Sequence, residues 1–304
     1  MTSFKGVIPP ICTPLDEYGD VDSAGLERLV ASMLSAGVHG IFALGSTGEG
    51  IYLNDAARKR VLDVVIGAVA GAVPVLAGAV DATTARVIDQ VRWMRKFRLD
   101  ALVVTAPFYA VVSPSETVTH FEAVAASSPV PVVAYDIPVN VGRKLPRDVS
   151  IDLISRRVVA GLKDSSGDLD EFVAVLEAVR SVADISVLTG SDVGALECLR
   201  AGAHGVVPGI ANICAVHFVS LWEAFTAGDE DTAERTQAKI SALTEIYGIG
   251  VTRGLGLHAS QLGALKSVLV HDGVIGSATV SRPLSACPVG GAEEAVRIAT
   301  AARG

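Results

Sequence analysis

The chain has 304 residues, half of them apolar and 19% charged, which supplies a large buried core and excludes an intrinsically disordered chain. Its net charge of −8 and pI near 5.3 exclude a basic surface for nucleic acid, because no stripe of cations is there to neutralise phosphates. At this length one α/β barrel of about 250 residues uses most of the chain as a single unit.

In chain order, the first apolar run spans residues 7–11, with prolines at Pro9, Pro10 and Pro14 and no long apolar core, so no secretory leader is expected. A helix is predicted over 22–35 with Asp22 as its N-cap, then a strand over 40–44 and a helix over 54–70 capped by Asn54. Residues 64–80 carry no charge and approach the length of a membrane span. Pro74 interrupts them and Gly67, Gly71 and Gly78 punctuate them, so they read as a helix end, a turn at 71–74 and a strand over 74–77, with no membrane segment. A helix over 83–97 follows, and further apolar runs lie at 101–105, 131–135, 158–162, 185–189 and 205–207. Such continuous runs are what parallel strands covered on both faces require. Eight of them alternating with helices predict an α/β fold, a closed (β/α)8 TIM barrel over 1–228. Residues 229–304 read as a C-terminal helical extension packed on the barrel, since no low-complexity linker separates them. Two segments echo each other, Ala36-Gly37-Val38-His39-Gly40-Ile41 and Ala201-Gly202-Ala203-His204-Gly205-Val206, and read as one helix-to-strand turn solved twice.

Cys12, Cys198, Cys214 and Cys287 show no paired spacing, which predicts buried reduced thiols in a cytoplasmic enzyme rather than a disulfide framework or zinc site. His39, His120, His204, His217, His258 and His271 show no HExxH-type spacing, so no metal and no cofactor is expected.

An active site in such a barrel lies where strands end. The sixth run ends in Lys163, followed by Asp164-Ser165-Ser166-Gly167. An ammonium there is disfavoured by desolvation, and a neutral amine attacks carbonyls; a salt bridge to a neighbour such as Asp164 would be the structural alternative. Position alone leaves both open. The second run ends in Gly45-Ser46-Thr47-Gly48-Glu49-Gly50, whose glycines, amides and hydroxyls suit a carboxylate or phosphate, although no P-loop lysine follows. The fifth ends at Tyr135, and Tyr109 follows the fourth; either phenol could shuttle protons or simply satisfy a core carbonyl.

GSTGEG at 45–50, PFY at 107–109, YDIP at 135–138, GLKDSSGD at 161–168 and TGSD at 189–192 occur in this order. Jointly they resemble the dihydrodipicolinate synthase/N-acetylneuraminate lyase family from about Val7 to the C-terminus. The resemblance implies a class I, pyruvate-dependent aldolase with Lys163 as the Schiff-base residue and Tyr135 passing the proton. It implies that Ser46 and Thr47, helped by loop amides such as that of Gly48, hold the carboxylate of pyruvate or another small 2-oxo acid. Gly190, Asp192, Gly209 and Ile210 match the wall facing the rest of the substrate. Tyr109 matches a tyrosine that reaches into a neighbouring subunit, which implies a dimer paired into a homotetramer.

Two departures bear on substrate. Dihydrodipicolinate synthases usually carry an arginine five residues after the strand-five tyrosine, where this chain has Asn140, with Arg143 close by in sequence. Sialate lyases place a glutamate where this chain has Val193. The expected substrate is therefore a 2-oxo-3-deoxy sugar acid or a 4-hydroxy-2-oxo acid, with Asn140 and Asp192 on its hydroxyls. The alternatives are condensation of pyruvate with aspartate semialdehyde, and a non-catalytic 2-oxo-acid-binding barrel, since fold does not fix function.

Overall fold

In the computed structural model, which describes residues 3–303, each of the eight apolar runs contributes to a parallel strand, the first run only through Val7. The strands are β1 (Gly6–Val7), β2 (Ile41–Ala43), β3 (Val75–Gly78), β4 (Ala101–Thr105), β5 (Val132–Asp136), β6 (Gly161–Asp164), β7 (Ser186–Thr189) and β8 (Gly205–Val206). They pair in the order β1-β8-β7-β6-β5-β4-β3-β2. Beyond β1 the chain bridges back to β2: Ile11 N donates to Phe42 O at 3.0 Å and Phe42 N to Pro9 O at 2.9 Å, which closes the TIM barrel.

Alternation along the strands divides the core in two. Ala101 and Val103 of β4, Val133 and Tyr135 of β5 and Leu188 of β7 join Phe4, Ile8, Phe42, Leu76 and Val207 inside the barrel. The intervening residues, such as Leu102, Val104, Val132 and Val187, pack outward against the helices. The helices start where expected. Asp22 Oδ1 accepts from Gly25 N and Asn54 Oδ1 from Ala57 N, both at 2.9 Å, capping Ser23–Ser35 and Asp55–Val69. The uncharged 64–80 stretch is the end of that second helix, a turn and β3, and among the described residues no helix is long and apolar enough to cross a membrane.

The sixth strand departs from expectation in register. Val158 and Val159 are not extended; their amides donate back to Leu153 O at 2.9 and 3.3 Å, ending the helix Arg147–Ser155, with Arg157 at φ +58. The strand starts at Gly161, where φ is +158 and a Cβ would stand 1.8 Å from Ser186 O, so only glycine fits. Lys163 is thus the third residue of the strand, with Asp164 its last.

The echoed turns share one solution. His39 Nδ1 accepts from Val7 N at 3.2 Å and His204 Nδ1 from Val187 N at 3.0 Å, each imidazole satisfying a strand amide. Burial pushes both rings below the usual histidine range, which keeps them neutral acceptors.

From Glu230 onward the chain forms the helices Glu230–Leu243, Leu257–His271 and Val289–Arg303, with 3-10 turns at Thr244–Gly248 and Val251–Arg253 and a non-helical segment over 272–288. Helix Leu257–His271 is buried along most of its length, Lys266 included. Lys266 Nζ pairs with Glu49 of the β2 loop, both side chains fully buried, and donates to Thr279 O at 2.6 Å, while Glu49 Oε2 accepts from Ser281 N at 2.5 Å. The extension is therefore anchored to the loop that carries Ser46 and Thr47. Lys266→Met leaves Glu49 buried without a cation, only the Ser281 amide remaining on it, and should lower the unfolding free energy by about 3–5 kcal/mol, read from the denaturant midpoint. A midpoint equal to the parent's would mean that the pair contributes no net stability.

Candidate active site

β5 and β6 run in register, Tyr135 beside Lys163 and Asp136 beside Asp164. Because side chains alternate, Tyr135 and Lys163 share the inner face and the two aspartates the outer one. Lys144 takes both aspartates: its Nζ lies 2.9 Å from Asp136 Oδ2, 3.5 Å from Asp164 Oδ2 and 2.8 Å from Ser166 Oγ. Leu145 N completes Asp136 at 2.9 Å, and Ser166 donates twice to Asp164 Oδ1. The carboxylate that adjacency offers to Lys163 is spent elsewhere.

Lys163 is itself buried, with Nζ 3.9 Å from the ring centre of Tyr135 and 5.0 Å from that of Phe42. Among the described residues no carboxylate stands within ion-pair distance of it. The amine opens into a cavity of about 200 Å³ at the C-terminal mouth of the barrel, also lined by Ser46, Thr47, Tyr135, Asn140, Gly190, Asp192 and Gly209. Asn140 Nδ2 donates to Ser46 Oγ at 3.0 Å. Gly190 is tight against the β6 loop, since a Cβ there would stand 2.0 Å from Ser165 Oγ. Asp192 receives Tyr247 Oη at 2.8 Å and the Ile210 amide at 3.4 Å. Burial pushes its carboxyl up to about 6, against the pull of the Tyr247 hydroxyl, the Ile210 amide, Lys163 and the Gly209 amide.

Three expected positions lie outside that lining. The Gly48 carbonyl accepts the Thr13 hydroxyl at 2.7 Å, and Ile210 is fully buried behind Asp192. Tyr109 is fully exposed at φ +77. Its loop is held by Arg143, whose guanidinium donates to Val112 O at 2.7 Å and Pro107 O at 2.9 Å.

Residues 3–288 match the Dihydrodipicolinate synthetase family. The chain belongs to this family. It is similar to a 4-hydroxy-tetrahydrodipicolinate synthase of Methanospirillum hungatei, 33% identical over 79% of this chain and 82% of that one. An uncharacterised DapA-like lyase of Halobacterium salinarum is 33% identical over 88% of each. Among solved structures, the family member YagE of E. coli K12 in complex with pyruvate superposes with a TM-score of 0.91 at 26% identity, over 99% of both chains. The dihydrodipicolinate synthase of Bacteroides thetaiotaomicron does so with 0.91 at 27%, again over 99% of each. As a dihydrodipicolinate synthetase family member, the chain is a class I lyase.

In this member the roof of the cavity comes from the C-terminal helices, which the sequence motifs did not point to. Tyr247, His258, Gln261, Leu262 and Leu265 all line it. His258 stacks on Tyr52 with ring centres 5.8 Å apart and bonds the Ser46 backbone, while burial pushes its imidazole below the usual range. The one available signal was Lys266, a lone charge among the apolar residues Leu262, Leu265, Val268 and Leu269.

Removing the outer cation tests how the two faces are kept apart. Lys144→Met should cost about 3–5 kcal/mol at neutral pH, because two buried carboxylates then face each other unpaired. Burial already holds Asp136 above the usual carboxylate range, and loss of Lys144 raises it further. A raised carboxylate stabilises the fold when protonated, so the deficit should shrink as pH falls into the acid range and grow as pH rises toward neutral. Urea midpoints across that range check it; a pH-independent deficit would show that charge is not the cause.

Proposed function

We propose that the chain is a pyruvate-dependent lyase working through an imine on Lys163, with a 2-oxo-3-deoxy sugar acid or a 4-hydroxy-2-oxo acid as its substrate. The observation that carries this is an amine buried at the barrel mouth beside Tyr135 with Asp164, its sequence neighbour, taken by Lys144. In the synthetic direction Nζ attacks the ketone carbon of pyruvate, water leaves, and the protonated imine draws electrons from the adjacent methyl, which loses a proton to give an enamine. The enamine carbon attacks an aldehyde, whose oxygen takes a proton; cleavage is the reverse. Tyr135 is the proton carrier. Ser46 and Thr47 hold the carboxylate, with the Gly48 segment supporting their loop, and Asn140, Gly190, Asp192, Gly209 and Ile210 form or back the wall for the rest of the substrate.

A second reading, condensation with aspartate semialdehyde, is favoured by the names of the curated relatives. Against it stand Asn140 where that reaction's arginine is expected, and Arg143 engaged by two carbonyls. We further propose a cytoplasmic homotetramer built as a dimer of dimers, in which Tyr109 enters a second copy's site. The exposed Tyr109 and Val111 and the four unpaired cysteines support that.

Borohydride reduction in the presence of pyruvate should add a pyruvate-derived mass to the intact protein, and Lys163→Ala should abolish it. An adduct that survives in that variant would move the imine elsewhere. Tyr135→Phe should slow turnover about 10²–10⁴-fold while sparing adduct formation to a greater degree. With pyruvate and a panel of aldehydes, hydroxylated aldehydes should be turned over fastest. Brisk turnover of aspartate semialdehyde alone would reverse the order of the two readings, and adduct without turnover of any aldehyde would favour a binder.

A further inference from the structure

The β7 loop and the C-terminal helices meet inside the cavity at one hydrogen bond, from Tyr247 Oη to Asp192 Oδ2 at 2.8 Å. Neither partner is free to drift. Gln237 Nε2 donates to the Asp192 backbone carbonyl at 3.0 Å, and Ser260 Oγ donates to the Tyr247 carbonyl at 2.6 Å. The space over Gly209 is where these groups aim. A Cβ placed there would stand 3.1 Å from Tyr247 Oη, 3.6 Å from Thr47 Oγ1 and 3.7 Å from Asp192 Oδ2. Three polar atoms thus converge on a residue without a side chain, in the same cavity as Lys163 Nζ.

We propose that Tyr247 is a positioning residue that fixes Asp192 as the acceptor for a hydroxyl on the aldehyde-derived half of the substrate, so that the C-terminal helices select hydroxylated aldehydes. This rests on the imine reading, because the substrate is taken as tethered at Lys163. A carboxylate is acceptor-only when ionised; Asp192 Oδ2, which takes the phenol, lies 3.7 Å from the Cβ position over Gly209 and keeps a second lone pair to offer a hydroxyl there. The charged and titratable groups around Asp192 are Lys163 of β6, Tyr247 and the Cys214 thiol of helix Ala211–Ala227, with the Gly209 and Ile210 amides. Burial raises the Asp192 carboxyl and the phenol lowers it, so removing the phenol raises it further. Once protonated, Asp192 loses acceptor capacity, and the acid limb of activity must then move to higher pH.

The test uses the full chain with pyruvate and two three-carbon aldehydes, glyceraldehyde and its deoxygenated counterpart propionaldehyde, with the borohydride-trapped mass read in the same samples. The parent should prefer glyceraldehyde in kcat/KM. Tyr247→Phe should cut that preference about tenfold, mainly through KM, as expected for loss of a hydrogen bond to a charged group. Its acid limb should shift upward. Asp192→Asn should lose the same preference together with the acid limb, and the double variant should lose no more than the larger single loss. Gly209→Ala, which fills the space itself, should also lose it. A Tyr247→Phe protein that forms the imine yet keeps the parent's preference and acid limb overturns the proposal, as does full additivity in the double variant. Absence of the trapped mass in the parent protein would instead remove the imine reading, and this one with it.

Discussion

The buried and half-buried lysines around the barrel mouth are treated in different ways, and the difference organises the site. Lys144 is shared by Asp136 and Asp164, and Lys266 by Glu49, in pairs whose one-sided loss costs about 3–5 kcal/mol. Among the described residues Lys163 has no carboxylate within ion-pair distance and faces the rings of Tyr135 and Phe42, contacts worth about 0.5–2 kcal/mol to a cation. The cause is the two-residue period of a strand. Asp164 sits next to Lys163 in sequence and therefore on the opposite face of β6, where Lys144 collects it along with its in-register neighbour Asp136. Neutralising the outer face leaves the inner amine with no carboxylate at ion-pair distance among the described residues, Asp192 acting on it from across the cavity, so a carbonyl ligand meets no contact ion pair that must first be broken.

The same electrostatic logic ties the two ends of the chain together. Glu49 and Lys266 could be buried only as a pair, and burying them locks the β2 loop to helix Leu257–His271. Around that lock, Gln237 and Tyr247 reach the β7 loop at Asp192, and His258 reaches the backbone of Ser46. The C-terminal helices therefore do more than cover apolar surface. They roof the cavity over Lys163 and add Tyr247, His258 and Gln261 to the polar groups that the barrel loops supply to its wall.

What could be read from the sequence follows from which signals are local. Eight continuous apolar runs identified the barrel because strands covered on both faces need no alternation, and Asp22 and Asn54 marked helix starts because capping is decided within three residues. Lys163 stood out because a charge at the end of an apolar run is costly wherever the chain folds. The sixth strand was misplaced by its valines: Val158 and Val159 are apolar, but a left-handed Arg157 commits them to a helix-ending turn. Tyr247, His258 and Gln261 were invisible because nothing within their own segments distinguishes a residue that lines a cavity from one that packs on the barrel. Their role is set by contacts with loops as many as two hundred residues away. The complete burial of Lys266 depends on Glu49, 217 positions earlier in the numbering.

Substrate choice within such a site turns on what each side chain is free to do. Arg143 lies three residues from Asn140 and could by composition replace a missing carboxylate grip. Its guanidinium is instead the tie that holds the Tyr109 loop, through carbonyls at 2.7 and 2.9 Å. Turning it toward the cavity would break both bonds and release the segment that carries Tyr109 and Val111, and a bidentate carboxylate pair would have to exceed that loss. Asn140 meanwhile donates to Ser46, within reach of neutral oxygen but with no charge to offer. At the opposite specificity position Val193 is exposed and without a polar atom. With both charged anchors absent or engaged, a hydroxylated substrate of the kind proposed would meet Asp192 and Asn140 among the polar groups of the cavity wall. A carboxylate and an amide select hydroxyls far better than a second carboxylate, because like charges would have to share the wall.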